Sequence, residues 1–156
     1  MSKFTDIQWL FFDIGSTLVD ESKAYEHRIR DTIKNSDISY EQFCNAMIGF
    51  AKQGLNAYNE AVRLFGLNRT TWHSEDEFLY PETISTLDAL SKQYKIGIIA
   101  NQLPGTQERL NKMGISEYIR LTVSSAEAGV AKPDPVIFRL ALKRANCAAE
   151  NAIMIG

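Results

Sequence analysis

The stretch "IQWLFFDIGSTLVDE" (residues 7–21) joins an apolar run to a single carboxylate and then to a turn. Residues 7–12, "IQWLFF", are short, apolar and closed by turn-forming residues, which predicts a buried strand. Asp13 stands at its end, followed by Gly15, Ser16 and Thr17. A strand that delivers a carboxylate into a Gly/Ser/Thr loop is how a parallel sheet presents a nucleophile or a metal ligand at its carboxyl edge.

Outward from this stretch the pattern changes twice. From Glu21 to about Trp72, "ESKAYEHRIRDTIKN", "SYEQFCNAMIGFAKQG" and "LNAYNEAVRLFGLN" space their apolar residues by three and four, predicting consecutive helices bounded at Ser39, Gly54 and Gly66. From Pro81 onward helix and strand alternate. "PETISTLDALSKQ" reads as a helix begun by Pro81, "YKIGIIA" (94–100) as a strand, and "PGTQERLNKMG" as a helix closed by Gly114. "IRLTVSS" (119–125) is a strand, "DPVIFRLALKRA" a helix and "NAIMIG" (151–156) a final strand. Such alternation implies βαβ units and a parallel sheet. The expected organisation is an α/β core, residues 1–20 and 81–156, interrupted by an all-helical insertion, 21–80.

Composition restricts the function classes. Hydrophobic residues are 45% of the 156, enough for a real core, and the net charge of -2 with scattered basic residues argues against a nucleic-acid surface. No apolar run approaches the roughly 18 residues needed to span a bilayer, and "MSKFTDIQWLFF" lacks the pattern of a secretory leader. Two separated cysteines, Cys44 and Cys147, match no metal spacing and suit a reducing, cytoplasmic setting.

Four segments together resemble the haloacid-dehalogenase-like hydrolases. "DIGSTL" (13–18) resembles the first motif of that family, "IGIIAN" (96–101) the second, and "GVAKPDPVIF", with Lys132 before Pro133, the third. "AIMIG" resembles the start of the fourth, whose aspartate would come next after Gly156. The helical insertion matches the family's cap domain in position. The resemblance implies a Rossmann-like core and a covalent mechanism in which Asp13 attacks the substrate. It implies that Lys132 neutralises the nucleophile and the transferring group, that Thr17 and Asn101 take the substrate phosphate, and that Asp13 and the Gly15 backbone carbonyl bind Mg2+.

Two positions depart from the family's phosphatase pattern. Gly15 stands where the acid–base aspartate usually is, and Ala100 where a hydroxyl usually donates to the phosphoryl group. A missing general acid costs about 10²–10⁴-fold with a poor leaving group, and a missing donor on the order of 10²–10³-fold. Gly15 also suits a loop position with positive φ. Expected is a phosphatase of a small phosphorylated metabolite, weak or inactive for this chain. The alternatives are a degenerate family member that binds a ligand or partner, a haloacid dehalogenase, and a fragment whose uncovered last strand promotes self-association. The third Mg2+ ligand that the resemblance implies, the fourth motif's aspartate, is missing from the sequence, and Glu127 is a stand-in that no motif requires. His27, Arg28 and Arg30 either face substrate or form a solvated helix face, and His73 has no partner that singles it out.

Overall fold

The computed structural model describes residues 6–156; residues 1–5, part of the stretch read for a leader, lie outside them. The chain divides into two compact units, one formed by the residues up to Asp20 with Phe78–Gly156, the other by Glu21–Glu77. In chain order the elements are β1 (Trp9–Phe12), β2 (Val19–Asp20), α1 (Ser22–Ile33), α2 (Tyr40–Ala51), α3 (Ala57–Leu64), β3 (Phe78–Leu79) and α4 (Thr83–Ser91). They continue as β4 (Lys95–Ala100), α5 (Thr106–Lys112), β5 (Ile119–Ser124), α6 (Ser125–Ala128), α7 (Pro135–Ala145) and β6 (Ala152–Ile155).

In the first unit, four strands make a sheet in the order β5-β4-β1-β6, with every neighbouring pair parallel. This is the α/β fold the alternation predicted. Successive side chains of a strand point to opposite faces, and the two halves of the core follow that rule. Leu10 and Phe12 of β1 join Ile96, Ile98 and Ala100 of β4 on one face, covered by Leu87 of α4 and Leu110 of α5. Trp9 and Phe11 join Ile99 and Val123 on the other, covered by Ile137 and Ala141 of α7. Gly97 interrupts β4 because the Phe11 ring lies over it; a Cβ there would sit 2.5 Å from a ring carbon.

The structure differs from the sequence reading at three places. Pro81 belongs to the turn before α4, and the helix starts at Thr83, whose N–H bonds the Tyr80 carbonyl and whose hydroxyl donates to the Leu18 carbonyl at 2.8 Å. A two-stranded antiparallel ribbon, β2 with β3, pairs Val19 with Leu79 and Asp20 with Phe78 where none was expected. The loop after β5 winds into the short helix α6, capped by the Ser124 hydroxyl, which accepts the Glu127 N–H.

The second unit is all-helical up to the 3-10 turn Ser74–Asp76. Ser39 and Gln42 form a reciprocal capping box at α2, and Gly54 and Gly66 take left-handed conformations after α2 and α3. Ile29, Phe43, Tyr58, Ala61 and Val62 form its core, with Tyr40, Phe50 and Phe65 packed against them. A polar knot closes one end. Thr32, Tyr58 and Thr70 exchange hydroxyl bonds at 2.8 to 3.2 Å, and the Arg28 guanidinium lies 3.7 Å over the Tyr58 ring. Burial tends to raise the Tyr58 hydroxyl pKa, but bonds from Thr32 and Thr70 and the Arg28 charge outweigh it and the net shift is downward. Among the described residues no helix is long and apolar enough to cross a membrane.

Candidate active site

Parallel register brings the polar strand ends of the first unit to one edge. Phe12 pairs with Ile98 on one side and with Ile155 on the other, so the residues after β1, β4 and β6 emerge side by side. Asp13 is fixed at the backbone by its N–H, which bonds the Ile155 carbonyl at 2.9 Å. Its Oδ1 accepts the Ile14 N–H at 2.8 Å. Its Oδ2 faces the Lys132 ammonium at 2.9 Å, with the two side chains 28% and 15% exposed. A carboxylate clamped on one oxygen and charge-compensated on the other is oriented without being shut off from solvent.

The loop after Asp13 is a tight knot. Thr17, Leu18 and Val19 all direct their N–H groups at the Ile14 carbonyl, and the Ser16 N–H bonds the Val19 carbonyl at 2.8 Å. The left-handed position falls on Ser16, at φ 55°, one residue after the glycine that the sequence suggested for it. No main-chain N–H among the described residues bonds the Gly15 carbonyl. Gly156, at the end of β6, closes against this loop: a Cβ there would lie 2.6 Å from Thr17 Oγ1 and 2.8 Å from Asp13 Cβ. Thr17 thus faces the end of β6, as the Asp13 Cβ does.

Lys132 reaches Asp13 from the loop before α7, and Asn101 holds that loop. The Lys132 N–H donates to Asn101 Oδ1 at 2.7 Å, and Asn101 Nδ2 donates to the Lys132 carbonyl at 3.0 Å. The sequence reading placed Asn101 on the substrate phosphate; the structure places its side chain on the Lys132 backbone, with a second amide N–H still to donate. Gln102 continues the tie: its N–H bonds Ser125 Oγ at 3.1 Å, and its side chain meets Arg109. Ala100 is fully buried in the sheet core.

Other candidates fall elsewhere. Glu127 pairs with Arg144 at 2.8 Å, which accounts for its carboxylate and for part of the basic group on α7. Arg28 is engaged by the Tyr58 ring and the Thr70 carbonyl, and Arg30 by Glu26. His73 is far from partnerless. Its ring stacks on His27 at 3.5 Å, and its two nitrogens lie 2.9 Å from Asp31 and from Glu75. Bonds from Glu75, and then from Asp31, hold its pKa above the usual 6.5. Of these partners only Glu75 is near it in the sequence; His27 and Asp31 lie on α1, 42 or more residues earlier.

The geometry is that of an oriented carboxylate beside a lysine at the carboxyl edge of a parallel sheet. The chain is 32% identical over 152 residues to a glyceraldehyde 3-phosphate phosphatase of Methanothermobacter thermautotrophicus, which covers 94% of this chain and 64% of that protein. It is 28% identical to the pyrophosphatase PpaX of Bacillus velezensis, over 94% of this chain and 73% of that one. The fold is shared with the hydrolase YfnB of Bacillus subtilis, solved bound to magnesium: TM-score 0.72 at 18% identity, over 97% of this chain and 78% of that one. Residues 10–156 match the family model described as haloacid dehalogenase-like hydrolase, and the chain belongs to that family.

Proposed function

We propose that this chain carries the catalytic core of a magnesium-assisted phosphatase for small phosphorylated metabolites, with Asp13 as nucleophile. The observation that carries the reading is the Asp13–Lys132 pair, one carboxylate oxygen on the Ile14 N–H and the other 2.9 Å from the ammonium. In this reading an Asp13 oxygen forms a bond to phosphorus as the bond to the leaving oxygen breaks. Water then cleaves the acyl phosphate and restores the carboxylate. Lys132 offsets the charge gathered by nucleophile and phosphoryl group, and Asn101 acts as a positioning residue through the Lys132 backbone. Residues 21–80 serve as the cap of the family's architecture.

The donor set suits a hard divalent ion. The Asp13 carboxylate and the Gly15 carbonyl are oxygen ligands of the type magnesium prefers. β6, which resembles the start of the family's fourth motif, ends against Asp13 and Thr17. When bound there, magnesium would neutralise charge on the phosphoryl group.

Gly15 restricts the substrate. It offers no proton to a leaving alkoxide, so turnover favours leaving groups that depart unprotonated, such as a phenolate or a phosphate from an anhydride. A pyrophosphatase among the relatives supports that direction. The second reading, a family member that binds but does not turn over, is favoured by Gly15 together with Ala100. Hydrolysis of an aryl phosphate in the presence of Mg2+ separates the two. The phosphatase reading expects activity that Asp13→Asn removes, whereas activity unchanged in Asp13→Asn refutes the nucleophile. No hydrolysis with a retained, Asp13-dependent affinity for inorganic phosphate supports the binding protein.

A further inference from the structure

We propose that His27, His73, Glu75 and Asp76 form a zinc site in the helical unit, separate from the Asp13 centre. One ligand atom from each of the four lies within 4.8 Å of all the others. His27 is on α1, and His73 introduces the 3-10 turn that carries Glu75 and Asp76. The two imidazoles stack at 3.5 Å with planes 8° apart. At one edge of the stack His27 Nδ1 lies 2.7 Å from Asp76 and His73 Nδ1 2.9 Å from Glu75. At the opposite edge a single carboxylate, Asp31, lies 2.9 Å from His73 Nε2 and 3.9 Å from His27 Nε2.

Proton counting leaves two ways to complete this arrangement, one added proton on His73 or a cation at the Nδ1 edge. A neutral imidazole has one N–H and one lone pair. Asp31, which only accepts, takes the Nε2 hydrogen of His73 and leaves the Nδ1 lone pair facing the Glu75 carboxylate. A lone pair against an anion is repulsive unless a proton or a cation lies between. Protonating both rings would stack two cations at 3.5 Å. One divalent ion at the Nδ1 edge takes the place of that proton and of the His27 Nδ1 hydrogen, and two neutral imidazoles with two carboxylates balance its charge. Two nitrogens and two carboxylate oxygens are a tetrahedral zinc set, at about 2.0–2.2 Å from the ion; the two rings, parallel in the stack, turn out of it so that both Nδ1 lone pairs point at the ion. Imidazole nitrogen selects zinc over magnesium, which prefers all-oxygen ligands. Asp31 then takes the outer role of a carboxylate that hydrogen-bonds a ligating histidine and fixes its tautomer.

The ion would clip α1, where the helical unit begins, to the segment where it ends. Binding to the folded unit alone stabilises it. The test is equilibrium dialysis of the metal-stripped chain against zinc in excess magnesium, with metal counted by mass spectrometry and the imidazole nitrogens followed by NMR. Expected are one zinc per chain, retained in Asp13→Asn, with Nδ1 of His27 and His73 shifted and a raised unfolding temperature. Asp31→Asn should weaken binding about 10–100-fold, and His27→Gln with His73→Gln by at least the upper end of that range. No retained zinc, or zinc retained without change in the double histidine variant, overturns the site. The nitrogen shifts are read on the unsubstituted chain, so the test does not depend on how the variants fold.

Discussion

The Asp13 centre and the His27–His73 stack are built in opposite ways. In the α/β unit, chemistry sits at strand ends, and the register of β4, β1 and β6 carries those ends to a common edge. Each residue needs only to stand at the right place relative to its own strand. In the helical unit, residues 49 apart in the chain, His27 and Asp76, meet because α1 packs beside the returning segment. The first mode positions groups by backbone hydrogen bonds and tolerates little movement. The second relies on exposed side chains that adjust to what they hold.

That contrast can be tested, and the largest expected effect falls on the Asp13 loop. Gly15→Asp places a carboxyl beside an already fixed nucleophile and should raise turnover of an alkyl phosphate by about 10²–10⁴-fold. The rate with an aryl phosphate should change far less. Equal gains on both esters would mean that proton transfer is not what Gly15 lacks. Lys132→Ala should lower aryl phosphate turnover on the order of 10²–10³-fold, since the ammonium 2.9 Å from Asp13 is a preorganised charge. A loss confined to KM would instead make Lys132 a uniform binder.

The smallest effect belongs to the helical unit. Arg28→Ala removes the guanidinium from the Tyr58 face and its bond to the Thr70 carbonyl. It should destabilise that unit by about 1–2 kcal/mol in denaturant unfolding. Arg28→Lys should recover little, because an ammonium cannot stack as a planar group does.

The same contrast explains what was legible in the sequence. Asp13 was legible because an apolar run punctuated by turn residues marks a strand end, whereas Lys132 was legible only through the resemblance of four segments in order to one family. The helices α1, α2 and α3 were legible from their spacing of three and four. The β2–β3 ribbon was not, since two residues per strand carry no periodicity. Nor was α6, at four residues. The hold of Asn101 on Lys132 spans 31 residues and depends on where β4 leaves its loop relative to α7, which only the assembled sheet determines. Gly15 invited a left-handed assignment from composition, yet the knot of N–H groups on the Ile14 carbonyl shifts that burden to Ser16. The His27 and Asp31 contacts of His73 were not legible, because those partners arrive through tertiary packing.

The central claim is that Asp13 forms a covalent bond to phosphorus and that Gly15 leaves this bond slow to hydrolyse. Rapid-quench kinetics with an aryl phosphate and Mg2+, followed by mass spectrometry of the Asp13 peptide, test it directly. The account predicts a burst of phenolate approaching one per active chain, a phosphoryl group on Asp13, and loss of both in Asp13→Asn. A linear time course with no label on Asp13, or a label on another residue, would contradict it.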